Sequence, residues 1–254
     1  MMFNVTYASA PTPGQPNEDY VVAGADWAVV LDGATPPTGV ASGCIHGVRW
    51  LVRSLAAVLV DRLIMTDTSL PDALAAAIEA TRDRHASTCD VHNPSSPSST
   101  VAVLRLRRDR LEYLTLADSP IVVKVDDNPA HAIVDDRTAH LPSYTVEAVR
   151  DFRNTDGGFW VASTAPEAAY YAVTGDLAAK SVTGAAMLTD GAARFVDRFA
   201  LSDWGGLLEV LNKSGPLELI RRVREEEAAE TDEERQRDKR RGKRHDDATA
   251  VLIR

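Results

Sequence analysis

Five times in this chain a short apolar run begins or stops at an acidic residue. Asn17-Glu18-Asp19 precedes one run; Asp32-Gly33 follows Ala28–Leu31; Asp118 follows Leu114–Ala117. Asp190-Gly191 follows Ala185–Leu188 and a threonine, and His245-Asp246-Asp247 precedes Ala248–Ile253. Each pair alone is an ordinary turn signal, because aspartate and glycine tolerate turn geometry. Together they constrain the fold. Strands that end at carboxylates deliver them to one edge of a sheet, and carboxylates gathered at an edge are what hard divalent cations bind.

The order of elements sets the class. Val5–Ala8, Tyr20–Ala23 and Trp27–Leu31 read as strands, with Pro11, Pro13, Gly14 and Pro16 breaking regular structure between the first two. Apolar residues at steps of three and four predict a helix over Val40–Leu63. A second helix is expected over Ser69–His85, with Pro71 near its start. Thr100–Leu106 and Leu111–Leu116 form an expected hairpin, as do Ile121–Val125 and His131–Val134. Ser143–Phe152 reads as helical, Phe159–Ala162 as a short strand and Ala185–Leu188 as a buried one, and Pro166 opens a small helix. Helices are expected over Gly191–Phe199, Trp204–Leu211 and Pro216–Ala229, then a polar stretch and a closing strand, Ala248–Ile253. This is an α+β order with antiparallel sheets, not the regular alternation of a parallel sheet. One domain over residues 1–254 is expected.

Composition removes several classes of function. A formal net charge of −9 argues against general nucleic-acid binding, which needs a basic face. No run of eighteen apolar residues is present, so no membrane span is expected, and Met1–Ala10 lacks the pattern of a signal peptide. A cytoplasmic protein is the expectation. Cys44 and Cys89, the two cysteines, form no CxxC pattern. Their spacing supports neither a zinc site nor a redox motif, and both read as small buried side chains.

The acidic motifs, taken in order, resemble those of the type 2C Ser/Thr protein phosphatases, the metal-dependent protein phosphatases, in their bacterial form. The carrying segments are PNEDY (16–20), VVLDGAT (29–35), SSTVAVL (98–104), LADSP (116–120), LTDGAAR (188–194) and DDATAVLIR (246–254). The resemblance implies an αββα sandwich of two antiparallel sheets flanked by helices. It implies two, possibly three, Mn²⁺ or Mg²⁺ ions. Asp32 would bridge two of them, Gly33 would offer its carbonyl, Asp190 and Asp246 would complete the first, and Glu18 would bind the second. Asp19 would orient water, and Asp118 would serve a third ion. The implied reaction is attack on phosphoserine or phosphothreonine by a metal-bridging hydroxide, on phosphoproteins made by a bacterial kinase. Such chemistry needs no nucleophile from the protein.

The pattern departs from the family at the place of a phosphate-binding arginine, which is Gly14 here. Lys243 and Arg244, in the basic run 238–247, are the candidates to replace that arginine, and His245 is a candidate general acid. Phe159, Trp160, Tyr170 and Tyr171 fall where bacterial members carry a flap. Two rival readings stand beside the protein phosphatase: a weak or inactive metal-binding interaction module, and a phosphatase for small phosphomonoesters.

Overall fold

The computed structural model describes residues 2–36, 39–65, 67–233 and 243–254. Twelve strands are seen among them: β1 (Val5–Ala10), β2 (Tyr20–Ala23), β3 (Trp27–Leu31), β4 (Gly33–Ala34), β5 (Ser98–Ser99), β6 (Val101–Arg107), β7 (Arg110–Leu116), β8 (Ile121–Val125), β9 (His131–Ile133), β10 (Val173–Ala178), β11 (Val182–Leu188) and β12 (Ala248–Ile253). The α-helices are α1 (Val48–Ile64), α2 (Leu70–Asp83), α3 (Val146–Phe152), α4 (Asp190–Asp197), α5 (Trp204–Ser214) and α6 (Pro216–Ala229). One antiparallel sheet runs β1-β12-β11-β8-β9 and the other β10-β7-β6-β3-β2, while β4 and β5 form a small ribbon.

The period of two along a strand explains the layers. In β3, Ala28 and Val30 enter the core between the sheets with Ala102, Leu104, Ile121, Met187 and Val251. Val29 and Leu31 point the other way, into a core with Val52, Leu55, Leu59 and Leu74 of α1 and α2. In β12, Val251 and Ile253 face the other sheet, whereas Ala248, Ala250 and Leu252 pack with Phe195, Leu207, Leu211 and Val223. The result is the expected αββα sandwich. β3 and β12 are buried on two faces, which is why they read as near-continuous apolar runs, whereas the edge strands β1 and β10 are largely exposed.

Several boundaries differ from expectation. α1 begins at Val48, not Val40, because Gly43 and Gly47 take positive φ (69° and 73°) and leave Cys44–His46 in a loop. Neither cysteine is fully buried. Phe159–Ala162 makes two isolated bridges, Arg153 with Phe159 and Ser99 with Ala162, and no strand. Edge strand β10 escapes sequence reading because Gly175 and Asp176 interrupt its pattern; the glycine leaves room for the ring of Tyr113 on β7. Ser69 stands just before α2 and caps it, accepting from the Asp72 amide, with Pro71 in the first turn. Among the described residues no helix is long and apolar enough to cross a membrane.

Candidate active site

Asp32 directly follows β3, where the strand between β6 and edge strand β2 leaves the sheet. Its amide donates to Thr100 Oγ1 at 3.2 Å, and its carbonyl accepts from the Thr100 amide at 2.9 Å. Thr100 Oγ1 lies 2.6 Å from Ser119 Oγ, beside Asp118. The Ser-Thr of SSTVAVL and the serine of LADSP therefore tie two acidic strand ends together. Ala117, with φ of 63°, makes the sharp turn that presents Asp118, whose Oδ2 accepts from Thr138 Oγ1 at 3.2 Å.

Glycines follow two of the aspartates for reasons of contact. A Cβ on Gly33 would strike Val48 and come within 2.7 Å of the Glu18 carbonyl. A Cβ on Gly191 would overlap the Asp247 carbonyl. Only glycine lets these backbones approach so closely. Asp190 opens α4, and Thr189 before it donates through Oγ1 to Asp19 Oδ2 at 2.9 Å. Thr249 on β12 donates to the same oxygen at 2.7 Å. Asp19 is buried, and its Oδ1 has no hydrogen-bond partner.

The carboxylates act on one another. Burial, then Asp19, Asp190, Asp246 and Asp118, hold the Asp32 carboxyl well above its usual range. Burial pushes Asp19 up to about 8 against its two threonine donors, with Asp247 and Asp190 adding repulsion. Burial and Asp190 raise Asp246, opposed by Lys243 and Arg194. The sequence candidates Asp19, Asp32, Asp118, Asp190 and Asp246 are thus brought into one electrostatic unit. Glu18, Asp32, Gly33 and Asp246 line a cleft of about 470 Å³. Asp118 and Asp190 line another cleft, of about 620 Å³, together with Thr138, Tyr144 and Phe159. An oxygen-only donor set, mutual repulsion and an unpartnered buried carboxylate oxygen fit hard divalent cations such as Mn²⁺ and Mg²⁺.

The basic candidates divide. Lys243 Nζ reaches the cleft at 3.5 Å from Asp246 Oδ1, with 76% of its side chain exposed. Arg244 is turned to the end of α6, donating to the Glu230 carbonyl at 3.0 Å and to Asp232 at 2.9 Å. His245 Nδ1 lies 2.8 Å from Glu227 Oε2. Residues 238–242 of the basic run lie outside the described residues. In the segment suggested as a flap, Trp160 is buried and stacks on Tyr171 at 3.7 Å.

Sequence reasoning missed the supports. Asp247 accepts from the Thr12 amide and from the Glu18 amide, both at 2.6 Å, and so fixes the segment carrying Glu18. Buried Arg194 donates to Glu227 at 2.6 Å and to Asp246 Oδ2 at 3.2 Å. Fully buried Glu227 also accepts from Arg224 at 2.7 Å. Arg194, four residues after Asp190 on a helix, was readable as a neighbour. Nothing in the sequence signals Glu227.

A family model described as "Protein phosphatase 2C" matches residues 8–222. No curated protein sequence gives a significant match. Among solved structures, the serine/threonine phosphatase PstP/Ppp of Mycobacterium tuberculosis aligns over 100% of this chain and 98% of its own, at 15% identity and a TM-score of 0.59. The catalytic domain of PstP in complex with two manganese ions aligns over 99% and 97%, at 18% identity and a TM-score of 0.56. Stp1 of Staphylococcus aureus aligns over 100% and 95%, at 14% identity and a TM-score of 0.59. At these identities the structural likeness is one of fold.

Proposed function

The chain belongs to the protein phosphatase 2C family, and on that premise we propose that it hydrolyses phosphoserine and phosphothreonine monoesters of proteins in the pocket around Asp32. The observation that carries the reading is the convergence of Asp19, Asp118, Asp190 and Asp246 on Asp32. Glu18, Asp32, the Gly33 carbonyl, Asp190 and Asp246 would hold two cations, and Asp118 a third. The two manganese ions in the PstP complex support Mn²⁺ as the first cation to supply, with Mg²⁺ the alternative. When bound, such ions neutralise phosphate oxygens and lower the pKa of water.

The chain's own residues supply the rest. Asp19, held by Thr189 and Thr249 through one oxygen, keeps the other free to orient a water. Lys243 places an ammonium at the mouth of the cleft, which Arg244 and His245 also line beside the carboxylates, and draws the phosphate inward. Arg244 serves as a brace for the segment, since its guanidinium is engaged with Asp232 and the α6 carbonyls. Products of a bacterial Ser/Thr kinase are the inferred substrates.

Gly14, open and with φ of 77°, offers no guanidinium, and this favours a second reading, action on small phosphomonoesters with weaker capture of protein substrates. Turnover of a phosphothreonine peptide and of p-nitrophenyl phosphate with Mn²⁺ separates the two. A higher kcat/KM on the peptide supports the protein phosphatase; the reverse supports the small-ester enzyme. No Mn²⁺-dependent turnover on either would leave the non-catalytic binding module. Lys243→Ala is expected to raise KM about tenfold with kcat nearly kept, as for one charge-assisted contact. An unchanged KM removes Lys243 from phosphate capture.

A further inference from the structure

A second cluster lies on the loops beside the α1–α2 layer and shares no residue with the carboxylate pocket. Cys44 and His46 sit in the loop between β4 and α1; His85 and Cys89 sit just past α2. Cys44 Sγ lies 3.3 Å from Cys89 Sγ, 3.8 Å from His46 Nδ1 and 3.7 Å from His85 Nδ1. His46 Nδ1 lies 3.3 Å from Cys89 Sγ, and all four ligand atoms fall within 4.8 Å of one another.

The three S–N separations lie within about 0.3 Å of a tetrahedron's edges around zinc, and the S–S separation of 3.3 Å is about 0.5 Å shorter than the edge that a bound ion would set. With Zn–S near 2.3 Å and Zn–N near 2.0–2.1 Å, ideal edges are about 3.8 Å for S–S, about 3.6 Å for S–N and about 3.3–3.4 Å for N–N. Four side chains arrive from two loops, two from each. The pairing of cysteine and histidine is set locally. Gly43 and Gly47, both with positive φ, bracket the Cys44–His46 turn, and the Cys89 amide donates to the His85 carbonyl at 2.9 Å. The latter closes a helix-like turn that puts both side chains on one side.

The surroundings are those of a built site. Trp50, in the first turn of α1, stacks on His46 at 4.4 Å between ring centroids and meets the His85 ring at 5.0 Å. The Ile45 amide donates to Cys89 Sγ at 3.4 Å, as amides do around ligating sulfur. His85 is buried, its Nδ1 faces a sulfur, and its Nε2 has no hydrogen-bond partner. A buried imidazole with so little polar satisfaction is costly as it stands.

We propose that Cys44, His46, His85 and Cys89 bind one Zn²⁺ in a closed, structural Cys₂His₂ site. Two sulfurs and two imidazoles suit a borderline-soft, tetrahedral ion, not the Mn²⁺ or Mg²⁺ that carboxylates attract. The two centres therefore select different metals by ligand type. The zinc staples loop 39–47 to loop 84–97, whose hydrogen bonds to each other include the Asp90 amide on the Gly43 carbonyl at 2.9 Å, Asn93 Nδ2 on the Ala41 carbonyl at 3.1 Å and Ser96 Oγ on the Ser42 carbonyl at 3.5 Å. The second loop leads directly into β5, which pairs with β4 next to Asp32. The site thus anchors the rim of the catalytic pocket without touching it.

The test is metal analysis of the full chain, purified under reducing conditions and passed through a chelating column, with Asp32→Asn and Cys44→Ser/Cys89→Ser beside it. The expected result is one zinc per chain in the wild type and in Asp32→Asn, and none in the double variant. Cobalt loaded in place of zinc is expected to give the thiolate charge-transfer band and the intense visible bands of a tetrahedral centre. That spectrum needs no variant, so misfolding of the double variant does not remove the test. Failure to retain zinc after incubation with excess Zn²⁺, zinc that persists in the double variant, or a cobalt spectrum without thiolate bands would each overturn the proposal. So would a Cys44–Cys89 disulfide in the reduced preparation. Asp32→Asn separates this site from the catalytic one, since loss of turnover with zinc retained leaves the zinc site intact.

Discussion

A methyl group at position 191 has nowhere to go, because the carbonyl of Asp247 already occupies the space. The obstacle is backbone, so relief requires moving either α4 or the start of β12, and each carries a candidate cation ligand. Gly191→Ala is expected to cost roughly 1–3 kcal/mol in urea unfolding, in the range of overpacking changes. It is also expected to weaken Mn²⁺ binding in calorimetry; unchanged stability and affinity would refute the contact argument. Asp19 makes a prediction about pH. Burial raises its carboxyl from 3.8 to about 8 in the cation-free fold. Between those values the folded state holds a proton that the unfolded state has released, so this group's contribution to stability falls as pH rises through the window. In the presence of chelator, the melting temperature of the wild type is therefore expected to fall more between pH 5 and pH 8 than that of Asp19→Asn. Parallel curves would show that Asp19 is charged throughout.

At the scale of elements, the pocket depends on α6, which contributes no ligand. Glu227 on that helix gathers Arg194 from α4, Arg224 from its own turn and His245 from the segment before β12. Removing one member of a buried charge cluster strands the others. Glu227→Gln is expected to destabilise the fold by about 3–5 kcal/mol and, by releasing Arg194, to weaken Mn²⁺ binding at Asp246. Equilibrium unfolding and metal titration check the two parts separately. This cluster also marks where sequence reading stops. The strand ends at Asp32, Asp118 and Asp190 were legible because a periodic apolar run and an acidic stop lie next to each other in the chain. Glu227 is joined to Arg194 across 33 residues by packing alone, and an acidic residue within Arg-Glu-Glu-Glu looks like a solvated face. The Cys₂His₂ cluster escaped for a related reason. Its halves are separated by 38 residues that include both helices of one layer, and the apolar period that predicts α1 runs on through Cys44. Only the two positive-φ glycines cut the helix short and free the ligands.

For the molecule as a whole, the sandwich gathers carboxyl groups around Asp32, and the proposed cations would complete the fold electrostatically there. An ion that binds the folded state alone stabilises it by about 2.7 kcal/mol at a hundredfold excess over Kd. A melting temperature that rises with Mn²⁺ in the wild type and much less in Asp32→Asn is the expected signature; equal shifts would place the ions elsewhere. The antiparallel α+β class was readable from the order of elements and the layering from the family resemblance, whereas the split of β3 and β12 between two different cores shows only in the structure, because both faces of each strand are apolar. The exposed edge strand β10 and the bridges around Phe159 were not readable, because neither buries a periodic face. The measurement closest to the central claim is the rate of phosphate release from a phosphothreonine peptide as Mn²⁺ is titrated, wild type against Asp32→Asn. Saturable, Mn²⁺-dependent turnover in the wild type, reduced at least about a thousandfold in the variant, is the predicted result. Turnover that ignores Mn²⁺, or that survives Asp32→Asn, would contradict the assignment of the pocket.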